Sequence, residues 1–174
     1  MLAPMSDHVD HVLAQWAEQC PELDSSSMAV MGRIKRLARI VEAEQRVVFG
    51  AHDLDPAAFD VLATLRRSPA PHRLTPAELM RSAMVTSGAI TQRLDRLEER
   101  DLVVRTRRAE DGRSVHVSLT QAGRELIDRA LVDHVANQNR LLSGLTEEER
   151  THVADDLRGL LESLGDNGRQ VRLG

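Results

Sequence analysis

The 174 residues contain no tyrosine, two phenylalanines, one tryptophan and one cysteine. Each shortage excludes something. A single cysteine cannot close an internal disulfide, so packing must hold the fold. No apolar run approaches the roughly 20 residues that a membrane-crossing helix requires, and no membrane association is expected. The opening Met1-Leu2-Ala3-Pro4-Met5-Ser6-Asp7 lacks a basic stretch followed by an apolar core, so no secretory signal is read and the expected location is cytoplasmic. There is no Gly-rich phosphate loop and no nucleophile–base pairing, so neither an enzyme nor a catalytic residue is expected. His8 and His11 stand at i and i+3, but no Cys/His cluster completes a metal site; no metal and no cofactor are expected.

What is present is ordinary in amount and uneven in distribution. At 41% hydrophobic and 29% charged, the chain has the make-up of a globular protein, long enough for one domain with a sizeable core or for one lobe with appended helices. The net charge is −4, yet residues 66–113 hold 11 Arg against 7 Asp and Glu. A locally basic stretch on an acidic body suits phosphate binding while repelling non-specific partners.

Residues 74–120 organise the rest. Thr75-Pro76-Ala77-Glu78 is a helix start in which Thr75 caps, Pro76 takes the first helical position and Glu78 reaches back to the cap. A second helix opens at Thr86/Ser87, with Ile90, Leu94 and Leu97 forming one apolar stripe. Gly88, Gln92, Asp95 and Glu99 fall opposite that stripe, with Arg96 on the shoulder. Residues 102–106 and 115–119 have strand character, joined by a polar turn carrying Asp111-Gly112. The pattern is a helix-turn-helix followed by a two-stranded wing.

The flanks read as helices. One spans 7–19, with Val9, Val12, Leu13 and Trp16 at helical spacing; another runs from Asp24 or Ser25 to about Phe49. Asp55-Pro56 starts a third, Thr120 caps a long helix to about Ser143, and Thr146 with Glu149 forms a second capping box. Their apolar faces either pack on their own lobe or bury against a second copy, and their extent favours a two-fold homodimer. The expected fold is therefore mainly α with a small β-wing: a winged helix-turn-helix (51–120) between N-terminal dimerisation and pocket helices (1–50) and C-terminal dimerisation helices (121–174), in one compact chain.

A helix that reads base edges needs short or hydrogen-bonding side chains at its outward N-terminal face. Ser87, Gly88, Thr91 and Gln92 meet that need for double-stranded DNA, although on an isolated helix they would read only as solvated. Arg107, Arg108 and Arg113 in the wing can reach a minor groove or its phosphates, or form plain surface ion pairs. Arg96 is read first as pairing with a nearby carboxylate, then as a phosphate contact.

The segment Thr91-Gln92-Arg93-Leu94-Asp95-Arg96-Leu97-Glu98, with Asp111-x-Arg113-x-x-x-Val117-x-Leu119-Thr120 beyond it, resembles the MarR family of bacterial transcriptional regulators. The resemblance implies a homodimer on a palindromic operator, acting as a repressor, and a wing in which Asp111 orients Arg113. It extends to the urate-responsive subgroup with an extra N-terminal helix. That subgroup's Trp, Asp and two Arg are similar in placement to Trp16, Asp60, Arg93 and Arg105. The helical wheel independently sets Arg93 about 60–80° from the apolar stripe, turned toward the protein. An aromatic plane, a guanidinium and a carboxylate suit a planar small anion such as urate, while the plainer reading is a core Trp beside an Asp60–Arg93 ion pair. Two alternatives stand beside this. Cys20 raises redox sensing, though Glu18 and Glu22 disfavour its thiolate; and a winged helix can serve only as a protein-interaction module.

Overall fold

The main buried core is built on α3 (Pro56–Arg67), capped by Asp55, whose side chain accepts the Ala58 N–H at 2.6 Å. Val61, Leu62 and Leu65 on this helix are completely buried. In this computed structural model, residues 6–82, 90–107 and 115–166 are described. They form two compact units, Met1–Arg46 and Val47–Gly174.

The first unit holds α1 (His8–Gln19) and most of α2 (Ser26–Gly50). Asp7 caps α1 through a capping box with Asp10. Arg33 then ties the helices together, its guanidinium donating to Asp7 at 2.9 Å and to Asp10 at 2.6 Å. Val9 is the one buried residue of α1 and sits over Gly32, where a Cβ would stand 3.2 Å from its Cγ1. Apolar residues along α2 are largely open: Met28, Met31 and Leu37 are exposed.

In the second unit, which includes the end of α2, the helices α3, α4 (Pro76–Ser82), α5 (Ile90–Glu99) and α6 (Gln121–Leu141) pack on a sheet, and α7 (Glu147–Ser163) follows α6. The two phenylalanines, Phe49 and Phe59, stack on one another with centroids 3.9 Å apart, and His134 of α6 tilts against both. Burial holds the His134 imidazole below its ordinary pKa. The two expected strands form and pair, and the sheet gains one more. A third strand, β1 (Arg73–Leu74), pairs with β3 (Val115–Leu119), which pairs with β2 (Val103–Arg107), all antiparallel in the order β1-β3-β2. Two residues are too few to show alternation, so β1 exists because Leu74 finds Val117 across the sheet.

Two helices end alike. After α2, Leu54 N–H reaches back to Phe49 C=O and Asp53 N–H to Gly50 C=O; after α5, Leu102 and Asp101 do the same to Leu97 and Glu98. These are Schellman turns with Asp53 (φ 54°) and Asp101 (φ 54°) in the left-handed position and a buried leucine following each. Arg100 links the two turns by donating to the Asp53 carbonyl at 2.8 Å.

Thr120 caps α6, accepting from Gly123 N–H at 3.0 Å and donating to the Asp101 carbonyl at 2.6 Å. A Cβ at Gly123 would overlap the Leu102 carbonyl, so this first turn meets the sheet base backbone to backbone. α7, by contrast, buries none of its residues; Val153, Leu157, Leu161 and Leu164 are all exposed. Among the described residues no helix is long and apolar enough to cross a membrane.

Gly123→Ala should lower the free energy of unfolding by roughly 1–3 kcal/mol, since the added methyl must displace backbone. Urea denaturation at fixed protein concentration measures it, and a variant as stable as the parent would show that α6 shifts without cost.

Candidate nucleic-acid interface

The interface is built on α5, ten residues that bury Ile90, Leu94 and Leu97 and expose Thr91, Gln92, Asp95, Arg96 and Glu99. Its outward side is thus polar and open, as a groove-reading helix requires. Thr91, Gln92 and Arg96 lie on that side. Arg107, the last residue of β2, is exposed opposite Val115. Ser87, Gly88, Arg108, Asp111 and Arg113 fall outside the described residues.

One flank of α5 is clamped by the wing. The Arg105 guanidinium meets Asp95 at 2.6 Å and Glu98 at 2.8 Å, and donates to the Thr91 carbonyl at 3.2 Å. The Arg105 backbone N–H donates to Glu98 as well, at 3.1 Å. Four contacts from one residue fix the roll of the helix against β2. Asp95 and Glu98 are thereby committed to Arg105, and among the described residues no carboxylate pairs with Arg96, contrary to its first sequence reading.

The other flank borders a cleft of about 610 Å³, formed by α5, the turn after α2 and the start of α3. Gln92, Arg93, Arg96 and Glu99 line it from α5 and Arg100 from the turn beyond, facing Asp53 and Asp55. Arg93 is half-buried, and its Nη1 is shielded from solvent with no hydrogen-bond partner. A guanidinium nitrogen withdrawn from water without an acceptor is costly, and an anionic ligand would satisfy it.

The four residues read as a ligand set are distributed differently. Arg93 lines the cleft, whereas Arg105 is engaged on the opposite flank. Asp60 lies half-buried on α3 and is not among the lining residues. Trp16 belongs to the first unit, 39% exposed beside Val12, Gln15, Glu18 and Gln19. Sequence reasoning missed the clamp, although Asp95 and Glu98 at i and i+3 were a usable signal of a shared partner. It also missed Asp53, Asp55 and Arg100, whose convergence depends on the turns.

The helix preceding α5 is anchored locally. Glu78 accepts from the Thr75 N–H at 2.7 Å and hydroxyl at 2.9 Å, while Thr75 Oγ1 accepts from Glu78 N–H at 3.2 Å. These bonds hold the Glu78 carboxyl below its ordinary pKa.

Comparison with known proteins now bears on the fold. The MarR family model matches residues 52–114, from the turn after α2 to the residue before β3. The HTH-type transcriptional regulator PecS of Dickeya dadantii (strain 3937) is 37% identical over 145 residues, covering 83% of this chain and 87% of that protein. The chain belongs to the MarR family of transcriptional regulators. As a MarR-family member it is not an enzyme. The transcriptional repressor YetL of Bacillus subtilis (strain 168) is 25% identical over 87% of this chain and 90% of its own. A mutant MarR from E. coli complexed with operator DNA has 25% identity and a TM-score of 0.65, over 90% of this chain and 99% of that one.

Arg105→Ala should cost about 1 kcal/mol, discounted for the partial exposure of its partners, and should speed amide exchange across residues 90–99. Unchanged exchange there would mean that packing alone sets the roll of α5. Because the folded-state pKa of Glu78 is lowered, its contribution is present above the ordinary carboxylate range and is lost as pH falls through the folded value. The stability gap between the parent and Glu78→Gln should therefore be largest at neutral pH and narrow as pH falls below the ordinary carboxylate range in urea titrations.

Proposed function

We propose that this MarR-family protein acts in the cytoplasm as a repressor, binds a palindromic operator as a homodimer, and is released by a small planar organic anion such as urate. The observation that carries the reading is the division of α5 into three sides. Its outward side is polar and exposed, one flank is clamped by Arg105, and the other borders a cleft lined by Arg93, whose Nη1 is buried without a hydrogen-bond partner. An anion taken up beside Arg93 therefore acts on the helix that meets DNA, and it competes for residues, Gln92 and Arg96, that line the cleft and border the outward side.

Relatives support the same reading. The MarR structure holds operator DNA, and YetL is named a repressor. Ser87, Gly88, Thr91 and Gln92 would read bases, and Arg96, Arg107, Arg108 and Arg113 would meet phosphates, with Asp111 orienting Arg113. Trp16 and Asp60 join Arg93 as the effector set by resemblance to the urate-responsive subgroup, whereas Arg105, the fourth residue of that likeness, serves the clamp on the opposite flank. The open apolar faces of α2 and α7 supply the surface a second copy needs. Two recognition helices then meet successive major grooves, about 34 Å apart. Release follows from coupling: the effector lowers DNA affinity by its own preference for the unbound arrangement.

Fluorescence polarisation with the upstream DNA of the protein's own gene tests the whole. Affinity should fall with salt at a log–log slope near −0.9 per phosphate contact, which a protein-interaction module would not give. Urate should release the DNA, and Arg93→Ala should need at least about tenfold more urate for the same effect. An unaltered urate response in that variant would remove Arg93 from the pocket.

A further inference from the structure

A second cavity, of about 260 Å³, contains no residue of α5. It lies between the end of α3, the turn before β1, the end of β3 and the start of α6. Its ionisable lining residues are Arg66, His72, Arg73 and Arg124, and no carboxylate is among them. In a chain of net charge −4, a concavity lined by ionisable groups of one sign only is a departure from the average surface.

The four groups are not equally available. Arg66 is committed to Asp128, Nε to Oδ1 at 2.7 Å. The His72 ring is fixed by Nδ1 donating to the Ser68 carbonyl at 2.6 Å. Arg73 and Arg124 are exposed, and among the described residues no carboxylate pairs with either. Thr120 and Gln121 line the same cavity, so α6 begins there, and its first turn holds no acidic side chain. The positive end of a 21-residue helix thus adds to two uncompensated guanidinium groups from different elements.

Its position separates it from the nucleic-acid interface. Ser118 and Leu119 are at the end of β3 remote from the wing tip, which joins β3 at Val115. We propose that this cavity binds a small phosphate-type oxyanion, either inorganic phosphate or a phosphomonoester, between Arg73 and Arg124 at the start of α6. Planar guanidinium groups match such an oxyanion by paired hydrogen bonds. The cavity also has more room than bare phosphate fills, enough for part of an organic substituent. Arg73 lies in β1, which runs through Leu74 and Thr75 directly into α4, so the occupant would bridge the entrance of the helix-turn-helix to α6.

The test is thermal unfolding of the full chain at constant ionic strength, with inorganic phosphate or glycerol 3-phosphate replacing chloride. The expected result is a saturable rise of about 2–4 °C. It should vanish in the Arg73→Ala/Arg124→Ala double variant, whose two side chains are exposed and whose fold should persist. A larger rise with glycerol 3-phosphate assigns the site to phosphomonoesters, and the reverse assigns it to inorganic phosphate. Calorimetric titration of Arg124→Gln with the better anion gives an independent reading, expected about tenfold weaker than the parent. An equal rise in the double variant, or no rise with either anion, overturns the proposal. So does a salt slope of DNA binding that falls by about 1 or more in the double variant, because it would place the cavity against a duplex backbone.

Discussion

A ten-residue helix is marginal in water by itself, so α5 exists because of what it buries. Ile90, Leu94 and Leu97 are its attachment to a core whose centre is the fully buried face of α3. That attachment leaves one rotational freedom to settle, the roll about the helix axis. Three apolar residues on one stripe set it roughly, and Arg105 sets it finely through charged and backbone acceptors spread over two turns. The direction in which Thr91, Gln92 and Arg96 point is a consequence of those two constraints acting together.

The clamp also alters the charge that α5 presents. The helix carries three carboxylates and two arginines. Unopposed, Asp95, Glu98 and Glu99 would repel the polyanion the helix is proposed to meet. Arg105 absorbs two of the three, so the wing compensates the recognition helix electrostatically while holding it mechanically. On the other side, Arg93 keeps a buried nitrogen unpaired, a standing cost that a ligand can relieve.

Much of this was legible because it is local. The capping boxes at Thr75/Glu78 and Thr146/Glu149, the Asp55-Pro56 start and the Thr120 cap each need only neighbouring residues, and all of them form. The stripe on α5 is likewise a matter of spacing. What sequence could not supply depended on partners distant in the chain. β1 is two residues long and has no pattern of its own. The clamp needed the register that brings Arg105 of β2 over Asp95 and Glu98. The convergence of Arg66, Arg73 and Arg124 needed three elements to be placed at once. The likeness to a urate-responsive subgroup grouped Arg93 with Arg105, and the fold sets them on opposite flanks of one helix.

The contact at Gly123 has a mechanical consequence. Side chains in a core can change rotamer to absorb a displacement, but here two main chains meet with no side chain between them. Such a joint has no side chain to yield, so a displacement there must move main chain. α6 extends about 30 Å from it and is held again along its length by Ile127, Ala130 and the Arg66–Asp128 pair, so its direction is fixed at the base and along one face. Leu102 is also where the turn out of α5 ends and β2 begins. The long helix thus meets the end of the short one's turn at Gly123 and through the Thr120–Asp101 hydrogen bond.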